Sequence, residues 1–470
     1  MGLKRALTEF DLTNIIVGSI VGADIYIASS LTAGLVGPFA IVVWILAGIC
    51  ATTIAIVFAY CSYYVPRAGG PFAYVSEAFD DFYGFLTGWS MWIAEMLALP
   101  VFAIAFALYL GSVVPLSPTA EVAVRGIFIA ALTAVNIAGV RAAGRLNDLL
   151  TVIKLLPLLV LILAGLVFAV LHPAFFLGNY RPFMPFGLEH AAYAVVLVFW
   201  AYVGFEMGTL PADEVKNPAR IIPRAIVNGM AIVGIFYIMT NFVLYGLIPQ
   251  VDLAASATPL VLAGIALFGS AGAVLMTVGA LFSVSGSDES GMLGTSRLAY
   301  AMAIDGLFPS VFARIHPRYG TPYVVLIVEG VVAFVLSSIA DLSGLISFSV
   351  FNLAFSFLLT SFALIVLKDD NSPLVGQTVL PLAGIGICLF LIVSTPPVSM
   401  IVGAAVIAAG VPIYLYFSPK TDIHHLKEEF LSEEALFLRR VAKKERYLAN
   451  FIRLLREAWD AGRRVVRRRL

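Results

Sequence analysis

Several ionisable side chains of this 470-residue sequence stand inside apolar runs. They are Asp24 in GSIVGADIYIASS, Glu95 in GWSMWIAEMLALP, Lys154 in LLTVIKLLPLLVLIL, and Asp288 with Glu289 in VSGSDESGM. A lysine at the centre of such a run costs about 2.5–3.5 kcal/mol on insertion scales, so Lys154 calls for a partner or a function. The alternative is snorkelling, because it lies only one or two turns from the end of its run. A carboxylate in a water-poor setting attracts an amine or another cation and repels a second carboxylate. Asp24 therefore either faces a ligand or caps a helix, and Glu95 either serves a ligand or is paired with a neighbouring helix. Of Asp288 and Glu289 one faces the centre, since adjacent residues point about 100° apart on a helix. The chemistry available is binding and carrying charge. Bond-breaking machinery is not visible, because none of the five histidines forms HExxH, no GxxxxGK[ST] phosphate loop occurs, and there is no GxSxG elbow. The reading is therefore not an enzyme, with no cofactor or metal called for.

Composition says what must position these groups. Hydrophobic residues make up 61% and charged residues 12%, with a mean hydropathy of +0.97, so most of the chain belongs in lipid. A bilayer core about 30 Å thick takes about 20 apolar residues per helical crossing. The expected spans are 12–36, 39–63, 83–112, 122–140, 148–171, 190–212, 224–248, 270–303, 322–340, 344–367, 374–394 and 396–417, an all-α polytopic protein of about twelve transmembrane helices. Lysines and arginines fall mostly on one side, at Lys4, Arg5, Arg67, Arg141, Arg145, Lys216, Arg220, Arg224, Arg314, Arg318 and Lys368. The opposite loops carry little beyond Arg125 and Arg181, which predicts a multi-pass cell-membrane protein with both termini cytoplasmic. No cleavable signal peptide is evident. Cys50, Cys61 and Cys388 lie in apolar runs and read as packing residues. Residues 419–470 form a basic amphipathic tail ending in Arg467, Arg468 and Arg469, which fits a solvated cytoplasmic helix or one resting on anionic lipid of the inner leaflet. No nucleic-acid recognition motif accompanies that charge.

Two of the expected spans are interrupted. Gly18, Ser19, Gly22, Ala23 and Asp24 break the first, and FWAYVGFE, Phe199 to Glu206, breaks the sixth. Backbone unwound in mid-membrane is tolerated only where it lines a cavity or binds a ligand, and breaks five spans apart are what an inverted repeat of five helices gives. Gly204 belongs to the second break, where glycine supplies backbone freedom.

Five stretches carry a resemblance: GSIVGADIY, PRAGGPFAY (Pro66 to Tyr74), TVIKL (Thr151 to Leu155), FWAYVGFE followed by EVKNPARIIPRAI (Glu214 to Ile226), and GTSRLAYAMAIDGLFP (Gly294 to Pro309) followed by HPRYGTP. In this order they resemble the amino acid–polyamine–organocation family of secondary transporters. The resemblance implies a leucine-transporter-like 5+5 inverted repeat, about 12–171 and 190–367, plus two extra helices within 374–417, all in a membrane domain of 1–418. It further implies a substrate site at the two breaks, formed by Gly22, Ala23, Asp24 and Ile25 with Phe199, Trp200, Ala201, Tyr202 and Gly204. Glu95, placed like an acid of the cationic amino acid transporters, and Asp288 join it. In proton-coupled members a lysine in the TVIK context contacts the unwound helix 1, so the resemblance assigns Lys154 to proton coupling. Phe199, Trp200 and Tyr202 are gate candidates or plain packing, and Glu206 is a brace for helix 6. Asp24 stands where the family has a glycine whose neighbouring N–H groups meet a substrate carboxylate. The implied partners are a small amino acid or amine, protons and membrane lipid.

Overall fold

The computed structural model describes residues 7–67, 69–210, 212, 215–369, 374 and 376–418, with the backbone alone at 140–152. The basic tail 419–470, Lys4, Arg5 and Glu214 lie outside the described residues, as do the side chains of Arg141, Arg145 and Thr151. Among the described residues the regular structure is helical, apart from one isolated pairing of Leu7 with Val215.

The first span is two helices, α1 (Glu9–Ile20) and α2 (Ala23–Val36), separated at Val21–Gly22. A turn at Gly37 leads into α3 (Ala40–Tyr64), and the short α4 (Pro71–Ala78) precedes α5 (Asp81–Gly111). Then come α6 (Pro118–Ala138), α7 (Val140–Leu171) and the short α8 (Pro173–Gly178). The sixth span is α9 (Ala191–Ala201), an irregular stretch at 202–204, and a 3₁₀ turn, Phe205–Thr209. Beyond it run α10 (Pro218–Leu247), α11 (Gln250–Ala255), α12 (Pro259–Phe268), α13 (Ser270–Ile304), α14 (Tyr323–Ile339), α15 (Leu342–Leu367), α16 (Val379–Ser394) and α17 (Pro397–Phe417).

Nine helical stretches among the described residues are long and apolar enough to cross a membrane, the first being Ala23–Tyr64. Dividing that one at Gly37 and adding the shorter apolar α14 and α16 restores the twelve expected segments. The small helices α11 and α12, in the connection 249–269, were not legible as separate elements, and α12 with 10 residues is too short to cross. An apolar outer face shows on α7, where Leu156, Leu159, Leu163, Val167 and Val170 are exposed, as a surface facing lipid requires. Their spacing of three and four residues puts them on one stripe, while Leu158, Leu161 and Ile162 are buried on the other side.

The helix pairings carry an internal symmetry. Exchanging each span with the one five later turns α1/α2 into α9 and its 3₁₀ turn, and maps α3 on α10, α5 on α13, α6 on α14, and α7 on α15. The pairs α3–α10, α5–α13 and α6–α14 map onto themselves. The contacts of α7 with α13, α10 and α1 become those of α15 with α5, α3 and α9, and α5–α14 becomes α6–α13. An odd number of crossings separates the partners, so they run in opposite directions through the membrane, as an inverted repeat requires.

α15 begins with a side-chain cap. The Asp341 carboxylate accepts the Gly344 N–H at 2.7 Å and the Ser343 hydroxyl at 2.9 Å, and these bonds, the Gly344 one foremost, hold its carboxyl below the usual range. A depressed folded-state pKa stabilises above the unfolded value and loses that contribution as pH falls through the folded one. Asp341→Ala should therefore cost about 0.5–2 kcal/mol near neutral pH. In thermal unfolding of the detergent-solubilised protein the gap from wild type should close as pH drops below about 4.

Candidate functional site

The break in the first span leaves the last carbonyls of α1 and the first N–H groups of α2 without helical partners. Side chains from three other helices meet the carbonyls. The Lys154 ammonium, 0% exposed, donates to Gly18 O and to Ser287 Oγ, the latter at 3.2 Å. A cation suits this place because a helix C-terminus carries partial negative charge. The Ser287 hydroxyl lies 3.0 Å from Gly18 O and 2.8 Å from Val21 O, and Ser283 donates to Val21 O at 3.0 Å. The Tyr237 hydroxyl is 3.0 Å from Ile20 O and 3.2 Å from Asp24 Oδ2. On the N-terminal side, Asp24 Oδ1 accepts the Gly22 N–H at 2.9 Å. Gly22 has no room for a side chain: a Cβ would sit 2.8 Å from Phe102 of α5 and from Ser287 of α13.

The break in the sixth span repeats this device. Glu206 Oε2 accepts the Gly204 N–H at 3.1 Å, so in each break an acid reaches back two residues to a glycine N–H. Gly204 has φ +123°, and a Cβ there would come within 3.0–3.1 Å of the backbone of Ser19 and Ile20. The two breaks thus touch through a glycine.

A cavity of about 30 Å³ lies between them, lined by Ser19, Asp24, Glu95, Ala98, Phe102, Trp200, Val203, Gly204, Met207, Ser287 and Gly291. That volume holds about two waters. Glu95 is 8% exposed, and its carboxyl lies against that of Glu206 at hydrogen-bonding distance. Among the described residues no N–H or O–H donates to Glu95 Oε1 or Glu206 Oε1. Trp200 and Phe102 face each other across the wall, ring centroids 5.9 Å apart. Toward one end of the bundle a second cavity, about 760 Å³, is lined by residues including Arg67, Asp81, Leu210, Arg297 and Asp305. Met207 borders the first space and Leu210 the second, and both pack on Gly294 of α13.

The structure brings Asp24, Glu95, Trp200 and Gly204 together at the central cavity, with Gly22 behind its wall and Lys154 on the far side of the α1 carbonyls. Ala23 and Ile25 are buried in the core beside the break, and Ala201 is buried in α9. Phe199 packs on Phe357, and Tyr202 donates to Trp44 O at 3.1 Å. Asp288 is buried next to Ser287 with both carboxylate oxygens unpartnered, but it is Ser287 that lines the cavity. Glu289 is close enough to Arg297 and Lys154 to interact with their charges. Sequence reasoning missed Ala98, Phe102, Ser287, Gly291, Met207 and Tyr237. Helical spacing gave a usable signal for some: Ala98 and Phe102 follow Glu95 at three and seven residues, hence on its face. Tyr237 offered none, being one aromatic in a long apolar run.

The family model described as amino acid permease matches residues 7–418. The chain belongs to the amino acid permease family. It is 28% identical to the methylthioribose transporter of Bacillus subtilis over 90% of this chain and 95% of that protein. It is likewise 28% identical to the branched-chain amino acid permease BcaP of the same organism, over 89% and 94%. With the mouse cationic amino acid transporter 4 it shares 27% identity over 79% of this chain and 61% of that one. The family and these relatives are transporters, so this permease is a multi-pass membrane transporter and not an enzyme.

Gly204→Val should damage the site in two ways: a β-branched residue at positive φ costs about 1–3 kcal/mol, and its Cβ collides with the helix 1 backbone. The expected outcome is a lowered unfolding temperature together with weakened ligand binding, both milder in Gly204→Ala. Wild-type values for both in the valine variant would mean that the breaks do not depend on this contact.

Proposed function

We propose that this permease is a proton-coupled symporter or exchanger for small amine-bearing solutes, cationic amino acids or polyamines among them. The observation that carries the coupling is the Lys154 ammonium on the freed Gly18 carbonyl. If that ammonium gives up its proton, one donor to the helix 1 break is lost, and the packing of α1 against α7 and α13 changes with it. The acid-lined cavity supports the choice of amines, because a low-dielectric carboxylate strongly favours a cation. Relatives named for branched-chain and cationic amino acids and for a serine/threonine exchanger support small organic substrates. The one named for methylthioribose indicates that membership does not by itself require an amino acid. An inorganic cation as cargo is the second reading, favoured by the contact between Glu95 and Glu206.

The wide vestibule lies among Arg67, Arg297 and the loop before α14, and the arginines and lysines of that end make it cytoplasmic in this reading. The state described is then closed around its centre, with the Met207–Leu210 turn separating it from the cytoplasm.

Uptake into proteoliposomes with and without an imposed pH gradient, using pooled amino acids and polyamines, tests the function. Wild type should accumulate an amine-bearing solute only with the gradient. Lys154→Ala and the bulkier Lys154→Met should lose that accumulation yet keep gradient-independent counterflow, and unchanged accumulation in both would remove Lys154 from coupling. Ion flux without any organic solute would favour the second reading. Asp305→Cys, at the exposed vestibule rim, should react with an impermeant maleimide from the cytoplasmic face alone, and labelling from outside would invert the orientation.

A further inference from the structure

The start of a helix in a water-poor interior is an anion site, because its N–H groups and dipole both favour negative charge. This permease has one such start at its central cavity, that of α2, and an acid of the protein already stands at it. Asp24 takes the Gly22 N–H at 2.9 Å, with Tyr237 at 3.2 Å on its other oxygen. At the other break Glu206 likewise takes the Gly204 N–H, at 3.1 Å. The hydroxyls on the cavity wall are engaged as well: Ser19 donates to Ile15 O at 2.9 Å, and the Ser287 hydroxyl has Gly18 O and Val21 O as acceptors within 3.0 Å. A ligand carboxylate entering here would have to displace a protein carboxylate from its donors and then sit beside it.

Acceptors, in contrast, are in surplus. Glu95 lines the cavity, and among the described residues neither its Oε1 nor Glu206 Oε1 receives a donor. Two carboxyl groups in contact repel unless a proton or another cation lies between them. The Trp200 and Phe102 rings add faces that attract an organic cation.

From this inventory of donors and acceptors we propose that the central site takes a small organic ammonium bearing no carboxylate, a primary amine or diamine, and refuses the α-amino acid from which that amine derives. Glu95 receives the ammonium, while Asp24 stands in place of a substrate carboxylate. The proposal rests on the amine-transport reading above and narrows it.

The test pairs each amine with its parent acid on the purified full-length protein: cadaverine with lysine, putrescine with ornithine, agmatine with arginine, plus leucine and alanine. Affinities come from competition for a labelled amine and from ligand-induced thermal shifts. Wild type should bind every amine about ten-fold or more tighter than its parent. Asp24→Gly, which vacates the Gly22 N–H, should narrow or reverse that ratio. Asp24→Asn, which still fills the position without charge, should weaken the amines and go on refusing the acids, and it keeps the test open should the glycine variant not fold. Glu95→Gln should lose the amines. Parent acids binding as well as or better than the amines in wild type would overturn the proposal while leaving amine transport standing, and so would binding of leucine or alanine alone. Failure of all amines, with or without a carboxylate, to bind or accumulate would overturn the amine-transport reading, and the proposal with it.

Discussion

Inside a bilayer each main-chain N–H and C=O needs a partner from the protein, and the break at Val21–Gly22 sets that requirement at the centre of the molecule. Four freed groups there, Gly18 O, Ile20 O, Val21 O and the Gly22 N–H, are met by five side chains from α2, α7, α10 and α13: Asp24, Lys154, Tyr237, Ser283 and Ser287. The arrangement follows the helix dipole, with a cation at the carbonyl end of α1 and an anion at the N–H end of α2. Since those side chains come from separate helices, the break is also the point where their relative positions are fixed.

The second break obeys the same constraint with one change. Glu206 plays the part of Asp24, and its carboxyl also interacts with that of Glu95 of α5. The cavity is lined by Asp24 and Glu95 from the first half and by Trp200 and Gly204 from the second, and the close approach of Gly204 to the Ser19–Ile20 backbone brings the halves together. Gly22-Ala23-Asp24 and Gly204-Phe205-Glu206 share no identity beyond the glycine, so the repeat is carried by a hydrogen-bond geometry and not by residue identity. The same symmetry organises the helix pairings around it, from α3–α10 to α7–α13 and α15–α5.

Much of this was legible in the sequence. Hydropathy alone placed twelve apolar segments, most of them close to their observed ends, because a helix in lipid must be apolar over a length the bilayer sets; α7 and α10 begin earlier than the expected 148 and 224, and α16 later than 374. The unwound positions were legible too, since small residues and an acid have no reason to interrupt such a helix unless its backbone is used. Asp24 and Glu95 stood out for the same reason, charge being costly in an apolar run. Less could be read where cost was low: Phe102, Tyr237 and Met207 are unremarkable in a membrane helix, and Ser287 sat beside two acids that drew attention from it.

The sequence by itself thus determined the class of the protein, its spans, the location of both breaks and the presence of buried charge, because each is a local matter of hydrophobic length or local cost. Tertiary structure decided which side chain meets which freed backbone group. Lys154 and Gly18 are 136 residues apart, Asp24 and Tyr237 are 213 apart, and no periodicity within one helix encodes the rotation that brings such pairs into contact. That Asp24 bonds its own helix start, and that Ser287 rather than Asp288 lines the cavity, likewise follow from the packing of α5, α10 and α13 around the break.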